Sequence, residues 1–438
     1  MEKINLQNLK EKIAHPGFQR YFKNTGWVFF GQFFSLVIAF FVGAYVARYL
    51  GPKNFGSMSY AISFVSLFGF LAGFGVDSIL NRELVKCPEK KDELLGTSFW
   101  MKLVGGLLLI ITVNTISFFT NSDFLTKTLI LIFSFTFIFQ SFNVIGSFFQ
   151  SQVISKKVVK AQIVTSLLSA VIKLIFIYLN LGVIWIMSIY IFDSITLALG
   201  FIFIYYKKEK IFLKIKINKT ILISLLKNSA PIMFSVIALT IYGKIDQVII
   251  KKMLDETAVG VYAVAVKISE IWYFIPGLIC TSLFPAIVNA KKTDPRSYKK
   301  RIIALYSLLI YLGLALSIII FFLSEPVIGL VFGPAYLLSI KISKIYAWSG
   351  ISVFLMTGFW TYLLNENYTK IYLFATITGA VSNIILNLIF IPRYGVIGSA
   401  YATLISYWLP PLSLILFKKT RPQILLAIKS IAMYKDNV

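Results

Sequence analysis

The sequence has few of the residues that bind transition metals or form disulfides. Its 438 residues include two cysteines and one histidine. Cys87 lies in a short basic loop beside Pro88, and Cys280 lies in an apolar run, so we expect no structural disulfide. His15 stands alone in a polar N-terminal segment, where a solvated side chain is expected. The sequence therefore predicts no metal site built from thiolates and imidazoles.

Long polar stretches are also scarce, because 58% of the residues are hydrophobic and 16% are aromatic. The mean hydropathy is +0.81, and only a bilayer tolerates so much apolar surface. The net charge of +25 raises nucleic-acid binding, but no soluble surface is long enough to present it. Polar and mixed residues, about two dozen of them, precede the first long apolar run, which argues against a cleavable signal peptide. We predict a multi-pass membrane protein.

Twelve apolar runs are long enough to cross a membrane, since about twenty residues span the hydrocarbon core as a helix. Before the tenth run, the stretch from Glu325 to Ser343 is rich in proline and glycine, which indicates a re-entrant turn or an interfacial helix. The fold class predicted is therefore an all-α integral membrane protein. The predicted helix cores are Trp27–Leu50, Ser57–Leu80, Ser98–Phe119, Leu129–Phe149, Val158–Leu181, Val183–Tyr206, Asn228–Ile250, Val259–Ala286, Ile302–Leu323, Ile342–Leu364, Ile371–Ile391 and Val396–Phe417.

The lysines and arginines fall mostly on alternate loops. If the N-terminus is cytoplasmic, the inner segments hold 31 of the 43 basic residues, as expected for the cytoplasmic side. A count wrong by one helix would scramble this partition. We therefore predict that both termini are cytoplasmic and that the basic loops meet an anionic leaflet.

A weak internal repeat divides the chain in two. A shift of 204 residues, equal to six helices, places three residues of the first half on three of the second. Two parallel six-helix halves with a substrate path between them are a transporter pattern. The matched pairs are Leu50 with Leu254, Gly56 with Gly260 and Ala61 with Ala265. The predicted segments are a cytoplasmic segment at 1–23, a half at 24–206, a basic linker at 207–227, a half at 228–417 and a basic tail at 418–438.

Several short motifs resemble one membrane family. They include Ala47 to Gly56 (ARYLGPKNFG), Tyr242 to Gln247 (YGKIDQ) and Lys267 to Pro276 (KISEIWYFIP), with Ser282 to Pro285 (SLFP) and Pro392 to Gly395 (PRYG). On these motifs the chain, from about Asn24 to Phe417, resembles the polysaccharide flippases of the Wzx type. That group belongs to the multidrug/oligosaccharidyl-lipid/polysaccharide (MOP) exporter superfamily, which includes the MATE drug exporters.

The resemblance implies about twelve helices in two halves around a central cavity, as in MATE proteins. It implies a carrier, not an enzyme, that moves an oligosaccharide linked to undecaprenyl pyrophosphate to the outer leaflet by alternating access. Its partners would be this lipid-linked glycan, membrane lipids, and a polysaccharide polymerase with its chain-length machinery. Its location would be the inner membrane of a bacterial or archaeal cell. The resemblance does not identify the sugar.

Ionisable residues inside the predicted helices are the candidate site, because such charges are costly in a membrane and usually face a cavity or a partner. An anionic pyrophosphate needs cations along its path. The cations predicted to bind substrate are Lys244, Lys267, Lys173 and Arg48. The carboxylates predicted to pair with them, or to couple transport to a proton or sodium gradient, are Asp246, Glu270, Asp193 and Asp77. We expect no catalytic residue and no other cofactor.

Structural explanations compete with these roles. Lys173 and Asp193 lie at similar depths on neighbouring helices, so a salt bridge between them explains both. Lys267 and Glu270 share a helix face and could pair with each other. Arg48 and Lys102 lie near helix ends, where long basic side chains extend to the membrane interface. Asp77 fits either a cytoplasmic gate with Arg82 or a solvated helix end.

Three other functions compete with the flippase. A membrane glycan polymerase or glycosyltransferase would need a catalytic carboxylate or metal motif, and none stands out. A MATE-like exporter of drugs or cations shares the fold, but its cavity should favour acidic groups. A lipid II flippase often has two further C-terminal helices, whereas only a basic tail follows Phe417 here.

Overall fold

The computed structural model describes residues 16–210 and 216–432, and all regular elements in these ranges are helical. This confirms the all-α fold class. The helices are α1 Pro16–Leu67, α2 Gly69–Gly73, α3 Val76–Lys86, α4 Lys91–Phe118, α5 Phe124–Phe139, α6 Asn143–Ser151, α7 Ser155–Tyr178, α8 Val183–Glu209, α9 Lys219–Met253, α10 Glu256–Glu270, α11 Phe274–Thr293, α12 Pro295–Val327, α13 Leu338–Tyr346, α14 Ser349–Asn365, α15 Thr369–Tyr394, α16 Val396–Ser413 and α17 Arg421–Ala432.

Eleven helical stretches of the described chain are long and apolar enough to cross a membrane. The first, Gly26–Leu67, has 42 residues and would measure roughly 63 Å as one straight helix, twice the thickness of the hydrocarbon core. It is broken at Gly51, whose φ of 67° and ψ of 170° are not helical. This stretch contains the first predicted helix and the start of the second. The other ten correspond one to one with the remaining predicted helices.

Four predicted helices are interrupted, the second, the fourth, the eighth and the tenth. The second breaks at Phe74 and Gly75, which have φ angles of 48° and 66° and separate α2 from α3. A side chain at Gly75 would lie 3.1 Å from the backbone nitrogen of Met233, so the chain passes closely here. The eighth breaks between Glu270 and Phe274, which separates α10 from α11. Hydropathy alone did not locate these breaks, because the residues around them are apolar.

The chain packs as two units, neither continuous in sequence. Unit 1 contains Met1–Gly43 and Phe68–Met233, and its core is formed by residues such as Leu80, Leu95 and Phe149. Unit 2 contains Ala44–Leu67 and Phe234–Val438. Its core includes Tyr306, Leu309, Phe354 and Phe359. The segment 44–67 therefore packs with the second part of the chain, although it belongs to the first predicted half.

The proline-rich stretch before the tenth predicted helix is a tight turn. α12 continues through Pro326, a short π-helical segment Ile328–Phe332 follows, and Gly333 reverses direction with a φ of 92°. Tyr336 is fully buried, and its Oη donates to the carbonyl of Ala47 at 2.7 Å. This hydrogen bond fixes the turn against α1, and the re-entrant or interfacial position of the stretch stays a prediction.

Helix capping explains where α10 and α12 begin. The Asp255 side chain accepts a hydrogen bond from the Ala258 backbone nitrogen at 2.7 Å. Asp294 accepts from Ser297 Oγ and from the backbone nitrogens of Arg296 and Ser297, and these bonds hold the pKa of its carboxyl below the usual range. Both are typical N-caps, which satisfy donors at the first helical turn.

Three of the sequence predictions fall partly outside the described residues. The N-terminal segment before Pro16, with His15, and the last residues, with Lys435, are not described, nor is 211–215 within the basic linker. Within the predicted basic tail, however, residues 421–432 form helix α17, which packs on α12. The sequence analysis did not predict this helix.

Candidate functional site

A buried polar cluster in unit 2 surrounds Asp246 of α9. Asp246 is 4% exposed. Tyr262 Oη and Thr403 Oγ1 donate to Asp246 Oδ2 at 2.6 and 2.8 Å. Asn387 Nδ2 donates to Oδ1 at 2.8 Å. These partners come from three helices, α10, α15 and α16, so the carboxylate joins four helices. A buried carboxylate with only neutral donors is an arrangement that accepts a small cation or a proton.

One oxygen in this cluster lacks a partner. Asn387 Oδ1 is buried and has no hydrogen-bond partner among the described residues, while Asn387 Nδ2 also donates to Asn383 Oδ1 at 3.1 Å. Unpaired buried oxygens are uncommon, and each calls for an explanation such as an ion. The cluster therefore offers a carboxylate, two amide oxygens and a hydroxyl, the oxygen ligands that hard cations prefer.

Small residues bring these groups together. α15 and α16 are joined at Gly395, which has a φ of 59°. A side chain at Gly398 would lie 2.2 Å from the Phe390 carbonyl oxygen, so the two backbones nearly touch there. Ala400 and Ala402 are fully buried in the same helix. Small residues allow such close helix contacts in membranes, and they bring the amides of α15 and the threonine of α16 to one level.

A second buried carboxylate, Glu270, ends α10. Tyr346 Oη donates to Glu270 Oε1 at 2.5 Å and lies 3.3 Å from Tyr407 Oη. The Tyr407 ring stacks on Tyr242 with centroids 4.2 Å apart. Lys244, half-buried on α9, is close enough to Glu270 to interact with it electrostatically. Tyrosines and Lys244 thus surround Glu270, which lies on the other helix of the hairpin that carries Asp246.

The structure therefore brings together Lys244 and Glu270, which sequence reasoning had not paired. Lys267 is half-buried on α10, three residues before Glu270. Arg48 is exposed, and its Nη1 donates to the carbonyl of Leu330 at 3.3 Å, so it supports the turn that follows α12. The roles of these cations in binding substrate remain predictions.

Lys173 and Asp193 in unit 1 form the salt bridge that is one of the two explanations for these residues. Lys173 Nζ lies 3.8 Å from Asp193 Oδ2 and 5.0 Å from the centre of the Tyr190 ring. Ser169 Oγ donates to the same carboxylate oxygen at 2.8 Å. The side chains of Lys173 and Asp193 are 18% and 24% exposed. Asp193 Oδ2 is thus paired, whereas Asp193 Oδ1 is buried without a hydrogen-bond partner among the described residues.

Asp77 is exposed in the first turn of α3, as expected for a solvated helix end, and it does not form the predicted gate with Arg82. It forms an ion pair with Lys102, while Arg82 pairs instead with its neighbour Glu83 at 2.8 Å. The side chain of Lys102 is 5% exposed and that of Asp77 is 57% exposed. The prediction that Lys102 extends to the membrane interface was therefore wrong, because its amine is buried against a carboxylate one helix away.

Sequence reasoning also missed Asn383, Asn387, Thr403 and Tyr262. One signal was present in the sequence. Asn383 and Asn387 are four residues apart in an otherwise apolar helix, so both amides lie on one face at membrane depth. Polar side chains at such depth usually form hydrogen bonds with one another. The two asparagines alone therefore indicated a polar cluster on this helix face.

A family model described as "Polysaccharide biosynthesis protein" matches residues 21–291. The chain belongs to this family. A second model, MatE, matches residues 231–389. The polysaccharide biosynthesis family and the MatE match both place the chain in the MOP superfamily, as the sequence motifs predicted.

Curated relatives of this family member match over part of their length. "Probable flippase AglR" of Haloferax volcanii is 28% identical over 182 residues, which are 38% of this chain and 35% of the relative. "Probable low-salt glycan biosynthesis flippase Agl15" of the same organism is 26% identical over 38% of this chain and 35% of its own length. The matched stretch thus spans about a third of these relatives.

Solved structures share the fold over nearly the whole chain. A multidrug resistance MATE family transporter of the MOP superfamily in its inward-facing conformation has a TM-score of 0.74, with 15% identity, and covers 93% of this chain and 96% of that one. The lipid II flippase MurJ, in an inward closed conformation, has a TM-score of 0.66 with 20% identity over 95% and 93%. At these identities the likeness concerns the fold alone.

Proposed function

We propose that this protein is a flippase that moves oligosaccharide repeat units, linked to undecaprenyl pyrophosphate, across the cell membrane for surface polysaccharide synthesis. The observation that carries the proposal is the match to the polysaccharide biosynthesis family over residues 21–291. Two relatives with flippase in their names support it. Transport would proceed by alternating access, with both termini on the cytoplasmic side. A polymerase and its chain-length machinery would act on the product.

The chemistry of the substrate explains the embedded lysines in this proposal. A pyrophosphate cannot cross bare hydrocarbon, so cations must face its path. Lys244 and Lys267 supply two positive charges near the middle of the candidate spans Ile232–Met253 and Glu256–Phe284. Glu270 keeps Lys244 neutralised when no substrate is present, and the pyrophosphate replaces that carboxylate as its partner. Such an exchange avoids leaving the lysine unpaired in a poorly hydrated environment.

An ion gradient would drive transport, and the Asp246 cluster would bind the coupling ion. A sodium ion fits the oxygen ligands there, namely Asp246, Asn383, Asn387 and Thr403, and the unpartnered Asn387 Oδ1 is the atom that supports this fit. A proton on Asp246 is the alternative. Either ion neutralises a charge two residues from Lys244 and therefore raises the local positive potential. Ion and anionic substrate would then favour each other's binding, which is reciprocal by linkage.

A MATE-like exporter of drugs or cations is the second candidate, because the MatE model matches residues 231–389. A lipid II flippase shares the fold as well. The three differ in the charge and size of the cargo. In an exporter of cationic drugs, the carboxylates would face the transport path and the lysines would point away from it.

Deletion of the gene tests the proposal. We expect lipid-linked oligosaccharide to accumulate on the cytoplasmic side while surface polysaccharide is lost and drug sensitivity stays unchanged. Normal surface glycan in a strain without a paralogue would contradict it. Raised drug sensitivity with normal glycan would favour the exporter, and lysis with accumulated lipid II would favour the lipid II flippase. Genes for sugar-nucleotide enzymes beside this one would narrow the glycan.

A further inference from the structure

The last described helix, α17, crosses α12 instead of running alongside it. Tyr306 Oη donates to Gln423 Oε1, and Ser307 Oγ donates to the carbonyl of Ser430, both at 3.0 Å. Gln423 and Ser430 are seven residues apart, about 10.5 Å along α17, whereas their partners are adjacent in α12. A helix packed alongside α12 would meet partners about seven residues apart, so the crossing is steep. If α12 crosses the membrane as the candidate span Pro295–Phe332, this crossing places α17 close to the membrane plane.

The contacts also give the depth of α17. Tyr306 and Ser307 follow the basic run Lys299, Lys300 and Arg301 by five or six residues, roughly 8 Å of helix. Such basic runs mark the end of a helix that is predicted to be cytoplasmic. α17 therefore lies where lipid headgroups meet the hydrocarbon.

Two faces of α17 differ sharply in exposure. The face toward α12 is buried, with Ile424 at 7%, Ala427 at 4% and Ser430 at 0% exposure. On the side of the helix that turns away from α12, Leu425 and Ile428 are 54% and 59% exposed. Two large apolar side chains, three residues apart on an exposed helix face, indicate contact with an apolar phase.

The charge of the residues around this face indicates whether a membrane or a second copy of the chain covers it. Residues 418–432 contain Lys418, Lys419, Arg421 and Lys429 and no acidic residue. All four basic residues are exposed. An in-plane helix with exposed apolar residues and an exclusively basic flank matches the surface of an anionic membrane leaflet. A second copy of this chain would present the same positive charge and be repelled.

We propose that α17 and the adjoining residues 418–420 form an interfacial anchor that binds acidic phospholipids of the cytoplasmic leaflet. Leu425 and Ile428 insert below the headgroups, and the four basic residues contact the phosphates. Gln423 and Ser430 connect this anchor to α12, so lipid binding bears directly on a membrane-spanning helix. The proposal does not depend on which substrate the protein carries.

Spin labels test the insertion in the full chain reconstituted with phosphatidylglycerol and phosphatidylethanolamine. Leu425→Cys and Ile428→Cys, in a background with Cys87→Ser and Cys280→Ser, should collide more with oxygen than with a polar nickel reagent. A label at Arg296→Cys, an exposed site before the membrane part of α12, should show the reverse and serves as the control. Preferential access of the nickel reagent to 425 and 428, or protection from both reagents as under a protein partner, would overturn the proposal.

Charge substitutions test the lipid. The fourfold variant K418Q/K419Q/R421Q/K429Q should retain several-fold less phosphatidylglycerol through purification, measured by native mass spectrometry, with unchanged phosphatidylethanolamine. The variant K299Q/K300Q, which removes exposed charges from the start of α12, should retain nearly as much as the wild type. Equal retention in the fourfold variant and the wild type would refute the acidic-lipid assignment. Gel filtration of each variant shows that the fold is intact.

Discussion

Gly56 and Gly260 pack backbone to backbone, and the contact is reciprocal. A side chain at Gly56 would lie 1.7 Å from the carbonyl oxygen of Glu256, and one at Gly260 would lie 2.0 Å from that of Pro52. The shift of 204 residues that relates Gly56 to Gly260 also relates Pro52 to Glu256. The two equivalent segments therefore meet symmetrically, as expected around a local two-fold axis. Gly56 and Gly260, one of the three residue pairs that the repeat matches in sequence, are thus also in contact in the structure.

Alanine at either glycine should disrupt this contact. Gly56→Ala and Gly260→Ala each place a methyl group within 2.0 Å of a backbone oxygen, which cannot move without shifting a helix. We expect a Tm lower by several degrees and at least a several-fold loss of transport, measured by thermal denaturation in detergent and by export assay. Gly243→Ala is the matched control, since nothing lies within 4 Å of that position. Because alanine has a higher helix propensity than glycine, the control should lose no stability, and similar losses in it would show that the close contact is not the cause.

Asp246→Asn should separate ion coupling from folding. The substitution preserves shape and a carbonyl acceptor, but it removes the charge that would hold sodium or a proton. We expect transport in vesicles to lose its response to an imposed sodium or pH gradient, with little change in Tm. Ser63→Ala removes a hydrogen bond to Gln247, the residue next to Asp246, and should leave the gradient response intact. A full response in Asp246→Asn would exclude this carboxylate as the coupling site.

Lys244→Gln and Lys267→Gln test the path of the anionic headgroup. If a lysine contacts the pyrophosphate, its loss should reduce export about tenfold or more, corresponding to about 1.4 kcal/mol. Lys252→Gln provides the comparison, because Lys252 is an exposed residue near the end of the same helix α9. Export is measured at matched protein levels. Unchanged export in both variants would remove these lysines from the substrate path and favour ion pairing as their role.

The fold was largely predictable because membrane helices are encoded by length, hydropathy and loop charge. The limits of this prediction are physical. The break at Gly51 was visible as a glycine before Pro52, but the break at Phe74 and Gly75 lies within a continuous apolar run. Helix α17 was hidden because its charged residues read as a soluble tail, whereas a helix in the membrane plane needs an apolar face only on one side.

The candidate site was predictable in part for a different reason. Ionisable residues stand out in an apolar sequence, so Asp246, Glu270 and Lys244 were found. Their partners were not, since Asn387 and Thr403 carry no charge and lie more than 140 positions from Asp246. Pairing depends on how helices pack, and hydropathy gives no packing order. For this reason the sequence offered Arg82 or solvent as the partner of Asp77, and it did not indicate Lys102.

The unequal exposure of Asp77 and Lys102 predicts unequal effects of substitution. Asp77→Asn leaves a lysine with a 5% exposed side chain without its counter-ion, whereas Lys102→Met leaves an aspartate that is 57% exposed and can be hydrated. Uncompensated buried charges destabilise strongly, roughly by 3–5 kcal/mol. We therefore expect Asp77→Asn to lower Tm more than Lys102→Met does, and the double variant to recover most of the loss. Denaturation of all four proteins gives the coupling energy; equal losses in the two single variants, or additive losses in the double, would show that the buried amine does not depend on Asp77.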